Sequence, residues 1–249
     1  MDHPNNFYLL QKRMILILKQ INKFGKLNKM SDMEQQLINF QFDKNYKSDD
    51  FYVSKSNFFA FSLLDSWPKW EKNILNIHGE KYSGKSHLSE IFVKKNKGII
   101  LKSKILQPNY EKDLRFHQNI ILDDFDKEVD ESKIFSLINF VDQNSKYLII
   151  NSLIPFNKME FKLNDLISRA KNCLEAKIEK PDDELIKVLI LKYLSDKQIK
   201  INDKLLEFAS KRITRSYGKI FEFIYKIDEI SLKKKRSIDQ KTIKEALGT

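Results

Sequence analysis

The residues best suited to chemistry are Gly79-Glu80-Lys81-Tyr82-Ser83-Gly84-Lys85-Ser86, which fit the phosphate-loop pattern G-x-x-x-x-G-K-[ST]. In such a loop Gly79 and Gly84 bracket a turn whose backbone N–H groups wrap phosphates at a helix N-terminus. Lys85 would reach the terminal phosphates and the Ser86 hydroxyl would bind Mg²⁺. Tyr82 departs from the glycine that many such loops carry, where the backbone must approach its ligand closely. The alternative is a chance match in a turn; an apolar run before the loop and a helical pattern after it argue against that.

Further along, Asn119-Ile120-Ile121-Leu122-Asp123-Asp124 places two carboxylates at the end of an apolar run. Open α/β sheets build their sites at the C-terminal ends of strands. There Asp123 would hold Mg²⁺ and Asp124 would polarise an attacking water. Taken alone, the pair is explained equally well as a helix N-cap. The preceding phosphate loop tips the balance toward a site.

These residues need a scaffold. Short apolar runs at Ile74 to Ile77, Ile99 to Leu101, Ile120 to Leu122, Tyr147 to Ile150 and Leu174 to Ile178 read as buried parallel strands. Amphipathic segments at Asn57 to Ser66, Lys85 to Lys94, Glu131 to Gln143 and Leu163 to Asn172 read as the helices that cover them. After Pro181 only helical patterns follow: Asp182 to Asp196, Asn202 to Arg212, Tyr217 to Leu232 and Asp239 to Leu247. In the first of these, Leu185, Val188, Leu189 and Lys192 share a face. The expected fold class is α/β, a P-loop NTPase core with a parallel sheet flanked by helices, followed by a small all-α lid. The divisions are 1–30, an extension with alternative starts at Met30 and Met33; 31–50, a tether; 51–180, the core; and 181–249, the lid. The tether carries an apolar island, Leu37, Ile38, Phe40 and Phe42, of the kind that docks in a groove.

Bulk composition narrows the classes. With 249 residues, 41% hydrophobic, the chain can bury one ordinary core and a helical appendage. The single cysteine, Cys173, excludes a disulfide framework and a cysteine metal cluster, and fits a reducing cytoplasm. No run is long and apolar enough for a membrane span, and Lys19 and Lys23 break the stretch from Met14 to Leu18 that could suggest a signal peptide. A net charge of +11 invites nucleic-acid phosphate, although a lysine-rich bias in composition accounts for it too.

Gly84-Lys85-Ser86-His87-Leu88, Leu122-Asp123-Asp124 and Leu166-Ile167-Ser168-Arg169 together resemble the Walker A, Walker B and Box VII elements of the DnaA-related AAA+ proteins, which include the shorter regulator Hda. The resemblance runs from about Asp50 to the C-terminus, and His87 after the loop serine narrows it to this branch. It implies that Tyr52 and Val53 pack near adenine, that Asn151 and Ser152 occupy the sensor 1 region, and that Arg215 is the sensor 2 arginine of the lid. Leu153 stands where DnaA has an acid. It further implies ADP or ATP with Mg²⁺ as ligand, and docking of Gln36, Leu37 and Phe40 on the DNA polymerase III sliding clamp. DNA would then be met indirectly, through the clamp. Arg169 would be an arginine finger, stimulating ATP hydrolysis by DnaA and so limiting replication initiation. DnaA continues into a helix-turn-helix domain that this sequence does not carry after Thr249, which favours a regulator over an initiator.

Alternatives stay open at this point. Arg215 could be a surface arginine, and Arg169 could pair internally with Asp165 one turn earlier. The chain could also be a self-sufficient ATPase of the DnaC helicase-loader kind, working as a homo-oligomer, or a DNA-binding factor driven by charge.

Overall fold

Each apolar run of the core becomes a strand, and alternate residues along it feed opposite layers. The computed structural model describes residues 51–102, 110–126, 128–234 and 238–248. The expected extension, the tether and its peptide residues Gln36, Leu37 and Phe40 lie outside them. Strands β1 (Ile74–His78), β2 (Ile99–Lys102), β3 (Asn119–Phe125), β4 (Tyr147–Ser152) and β5 (Leu174–Lys177) form a five-stranded parallel sheet in the order β2-β3-β4-β1-β5.

Ile74, Ile120, Leu122, Leu148 and Ile150 face one layer, where they pack with Ile134, Leu137 and Ile138 of α4 (Glu131–Gln143) and Leu166 of α5 (Asn164–Lys171). Leu75, Ile77, Ile121, Ile149 and Ala176 face the other, against Ala60 and Leu64 of α1 (Phe58–Asp65) and Leu88 and Phe92 of α2 (Lys85–Asn96). Coverage on both faces is why these strands are continuously apolar rather than alternating. Each fully buried Leu or Ile contributes roughly 1.5–3 kcal/mol relative to exposure. A short helix, α3 (Tyr110–Leu114), and a 3₁₀ turn at Phe156–Lys158 were not foreseen; neither is long enough to show a hydrophobic period.

The lid comprises α6 (Asp183–Asp196), α7 (Asp203–Ser210), α8 (Tyr217–Lys234) and α9 (Gln240–Leu247). Side-chain caps start three of them: Asp182 accepts from Leu185 N at 2.8 Å, Asn202 from Leu205 N at 2.8 Å and Asp239 from Thr242 N at 2.7 Å. The lid has its own core, with Ile190, Leu206, Ile220, Phe223, Ile224 and Ile243 among its members. The most buried positions of α6 are Leu185, Ile186, Ile190 and Leu194, so the stripe is rotated from the expected Leu185, Val188, Leu189, Lys192 face. Its lower end serves the sheet: Leu185 and Tyr217 belong to the α1–α2 layer and join lid to core.

The chain leaves β1 for the sheet edge at β2, then returns through β3 to β4, which lies beside β1. That reversal opens a crevice at the C-terminal ends of β1 and β4, the place where parallel sheets receive ligands.

Candidate functional site

The phosphate loop fills this crevice. Gly79 follows β1 so closely that a Cβ there would lie 2.9 Å from the Ile178 carbonyl, and Gly84 adopts φ +96° as the N-cap of α2. Any side chain at either position would displace backbone or strain it. Tyr82 takes φ +69°, an uncommon conformation for a bulky residue, and sends its ring out against Phe221 of α8 with centroids 5.2 Å apart. The departure from glycine is therefore a contact between loop and lid.

Lys85 is buried, and its Nζ donates to the carbonyls of Gly79 at 2.8 Å and Glu80 at 2.9 Å. Burial pulls its pKa down, and the nearby Asp124, Asp123 and Glu80 oppose that pull without cancelling it. A desolvated ammonium facing a helix N-terminus is a ready partner for a phosphate.

Asp123 stands at the centre of the polar groups. Its Oδ1 accepts from Ser86 Oγ at 2.9 Å and from Asn151 Nδ2 at 2.8 Å, and Asn151 also donates to Ser89 Oγ at 2.8 Å. Burial raises the Asp123 carboxyl, but hydrogen bonds from Lys102, Asn151 and Ser86 outweigh it and hold the group below the usual carboxylate range. The expected set Ser86, Asp123 and Asn151 is thus brought together from α2, β3 and β4. Ser86 and Asp123 fit a hard divalent cation: both offer oxygen, they converge within hydrogen-bond distance, and Asp123 is only 2% exposed. Asn151 Oδ1 is buried with no partner among the described residues, a polar atom free to serve a ligand.

Asp124 parts from its neighbour. A register shift between Leu122 and Phe125 and a φ of +54° turn it outward, which an Asp tolerates better than most residues. Its Oδ2 meets Lys102 Nζ at 3.0 Å, and the same ammonium reaches Asp123 Oδ2 at 2.5 Å. Lys102 was missed by the sequence reading, which ended β2 at Leu101. It is the cross-strand partner of Asp123 in the parallel register. A lysine closing the strand beside an acid-terminated one is the signal that could have found it.

The segment from Phe51 to Asn57 lies between loop and lid. Phe51 packs against Gly84 and edge-on to His87 with centroids 5.2 Å apart. Asn57 folds the segment by accepting from Ser54 N and donating to the Tyr52 carbonyl, each at 2.9 Å. The Tyr52 hydroxyl donates to Glu184 of α6, and burial together with that carboxylate pushes the phenol well above its ordinary range. Val53 is half-buried beside it.

From the lid, Ser216 Oγ and Tyr217 N, the latter at 3.1 Å, donate to the Glu80 carboxylate. Arg215, one residue earlier, is exposed and pairs with Asp183 at 2.9 Å. Glu80 thus adds a polar link between phosphate loop and lid to the Tyr82–Phe221 contact, while Arg215 is turned to Asp183.

Arg169 occupies the other end of the sheet. It forms an ion pair with Asp142 of α4 and donates to Asn139 Oδ1 at 3.1 Å, so the alternative of an internal pair is met by a neighbouring helix rather than by Asp165. Asp142 also accepts from Asn73 at 2.6 Å, and Asn73 immediately precedes β1. Arg169 therefore sits at the start of the strand whose far end carries the loop, roughly 16 Å along β1 at about 3.3 Å per residue over Ile74–His78.

Among the described residues no helix is long and apolar enough to cross a membrane, and no group of three or more His, Cys, Asp or Glu could hold a metal on its own. Cys173 donates to the Ala170 carbonyl at 3.0 Å, and burial pushes its thiol up to about 11.

No family model and no curated protein matches the sequence. Solved structures do match its fold. Domain III of the Thermotoga maritima replication initiation protein DnaA aligns over 83% of this chain and 97% of its own, with TM-score 0.70 and 20% identity. AMPPCP-bound DnaA from Aquifex aeolicus aligns over 78% and 70%, with TM-score 0.59 and 19% identity. The Thermotoga maritima RuvB Holliday junction branch migration motor aligns over 82% and 71%, with TM-score 0.61 and 15% identity. The sheet order, the flanking helices and the helical lid give this chain the AAA+ fold shared by DnaA domain III and RuvB.

Proposed function

We propose that the chain is an Hda-like regulator that binds ADP or ATP with Mg²⁺, docks on the sliding clamp and stimulates ATP hydrolysis by DnaA. The observation that carries the nucleotide reading is the convergence of Ser86, Asp123 and Asn151 beside the loop from Gly79 to Ser86. The backbone of that loop and Lys85 would hold the phosphates, and Tyr52, Val53 and His87 would border the base. A bound Mg²⁺, held by Ser86 and Asp123, would supply charge neutralisation at the phosphates. The AMPPCP found in DnaA from Aquifex aeolicus supports an adenine nucleotide in the corresponding crevice here.

The regulatory part rests on Arg169. A guanidinium carries five donors, so contacts to Asp142 and Asn139 leave others for the phosphates of a neighbouring molecule, and the side chain is 39% exposed. Its place at the end of the sheet opposite its own loop suits a finger acting in trans. Arg215 would add a lid contact to phosphate by exchanging Asp183 for the ligand. Gln36, Leu37 and Phe40 would supply the clamp contact, bringing the protein to DNA without reading its sequence.

The test combines two measurements on the full chain. Calorimetry with ADP should show a single site that Lys85→Ala weakens. Phosphate release by DnaA on clamp-loaded DNA should rise with the wild-type protein and not with Arg169→Ala. Absence of ADP binding removes the nucleotide reading; equal stimulation by wild type and Arg169→Ala removes the finger.

A further inference from the structure

Lys102 places a permanent cation at the two carboxylates. It ends β2 in register with Asp123 on β3, so both side chains leave the sheet on the same face at its C-terminal edge. Its Nζ lies 2.5 Å from Asp123 Oδ2 and 3.0 Å from Asp124 Oδ2. Asp123 Oδ1 is committed to Ser86 and Asn151, so the ammonium covers the oxygen left for a second cationic partner. The side chain is half-exposed while Asp123 is buried, so the lysine reaches the acid from the solvent side. Asp124, turned outward by the bulge, completes the clamp around the same ammonium.

An oxygen pair neutralised in this way has less charge to offer a divalent cation. Mg²⁺ gives up its waters reluctantly and needs carboxylate charge to compensate. The ammonium on its Oδ2 makes Asp124 a weaker base toward a water.

From this placement we infer that Lys102 is a built-in competitor of the divalent cation, so that the Mg²⁺ held by Ser86 and Asp123 is bound weakly and contributes little to nucleotide affinity, and hydrolysis is slow. The inference rests on the nucleotide reading of the site. It assigns Lys102 the role of setting metal dependence, with Asp123 and Asp124 as its partners. Hydrolysis would require the ammonium to be drawn off both acids.

The test begins with Mn²⁺ alone, titrated into the full chain and followed by electron paramagnetic resonance. Lys102→Ala should bind Mn²⁺ about tenfold more tightly than wild type, the low end expected for charge-assisted contacts from a half-exposed side chain. Lys102→Arg, which keeps the charge, should behave as wild type, and Lys102→Ala combined with Asp123→Ala should lose the gain. Equal Mn²⁺ affinity in wild type and Lys102→Ala overturns the inference.

The second arm measures ADP affinity with Mg²⁺ and with EDTA. Wild type should change by no more than about twofold, whereas Mg²⁺ should tighten ADP on Lys102→Ala by about tenfold. A wild-type protein that already needs Mg²⁺ for tight binding overturns the inference. If no variant binds ADP, the nucleotide reading fails, and the Mn²⁺ comparison still decides the role of Lys102. Should Lys102→Ala fold poorly, Lys102→Gln, neutral and of similar length, serves both arms.

Discussion

The two ends of the sheet both carry polar clusters of acid, amide and base, and they are built differently. At the C-terminal end Asp123 and Asn151 are buried, a backbone loop surrounds Lys85, and Asn151 Oδ1 lacks a partner among the described residues. At the N-terminal end Asp142, Asn73, Asn139 and Arg169 are bonded to one another, and the ion pair is partly open to solvent. An inward cluster with an unmatched polar atom suits a ligand taken from solution. An outward cluster with a half-exposed guanidinium suits a surface held ready for another molecule.

The comparison breaks most visibly at Arg169. Fingers of this kind accelerate phosphoryl transfer by about 10³–10⁵-fold, so Arg169→Ala should lose most of the stimulation of DnaA hydrolysis on clamp-loaded DNA. Asp142→Asn, which frees the guanidinium from its ion pair, should keep or increase it. If Arg169→Ala unfolds while Asp142→Asn stimulates normally, the outward cluster is structural at the arginine alone.

Lys85→Ala probes the inward cluster. Loss of a charge-assisted contact worth about 1.5–3 kcal/mol should weaken ADP binding by roughly 10- to 150-fold in calorimetry. Unchanged affinity would mean that the loop binds no phosphate, and the two ends of the sheet would then differ only in burial.

Smaller effects belong to the lid junction above the inward cluster. The Tyr217 hydroxyl donates to the Glu179 carbonyl at 3.2 Å and lies 3.4 Å from Ser56 Oγ. Burial raises its pKa from its ordinary value near 10 to about 12; the Ser56 contact opposes this, while Asp182 and Glu80 add to it. The folded state holds this proton more tightly than the unfolded chain. Its contribution to stability is therefore complete below pH 10 and lost as pH rises toward 12. Tyr217→Phe should cost about 1 kcal/mol at neutral pH and flatten that part of the alkaline unfolding curve. A curve of unchanged shape would remove Tyr217 as its cause.

Glu80→Gln should act least. It removes a negative charge from the start of α8, an effect of about 0.3–1 kcal/mol when exposed. Hydrogen exchange at the Tyr217 amide should speed up by roughly two- to fivefold. No change there would leave the Tyr82–Phe221 contact as the main link between loop and lid.

Features carried by local chemistry were legible in advance. The strands at Ile74, Ile120 and Tyr147 and the helix starts at Asp182, Asn202 and Asp239 follow from apolar runs and helical periods in the sequence, and the structure adds that these three side chains cap their helices. The phosphate loop was equally plain, because its residues are contiguous. Lys102 was hidden by one residue at the end of β2, and its meaning depends on the register with a strand that the sequence cannot align. Asp165 was the one internal partner for Arg169 that helical spacing could suggest, whereas Asp142 is brought to it only by packing of α5 on α4. Tyr82 read as a defect until the lid supplied Phe221.

By itself, then, the amino-acid order determined the α/β core, the phosphate loop, the paired acids and the helical lid, since each depends on periodicity or on neighbours within a few residues. Only the tertiary structure decided that Asp123 faces Ser86 and Asn151 while Asp124 turns away to Lys102, and that Glu80 links loop to lid while Arg215 is turned to Asp183. Those pairings join residues far apart in the chain, and parallel strand register, one bulge and the packing of lid on core set which charges meet.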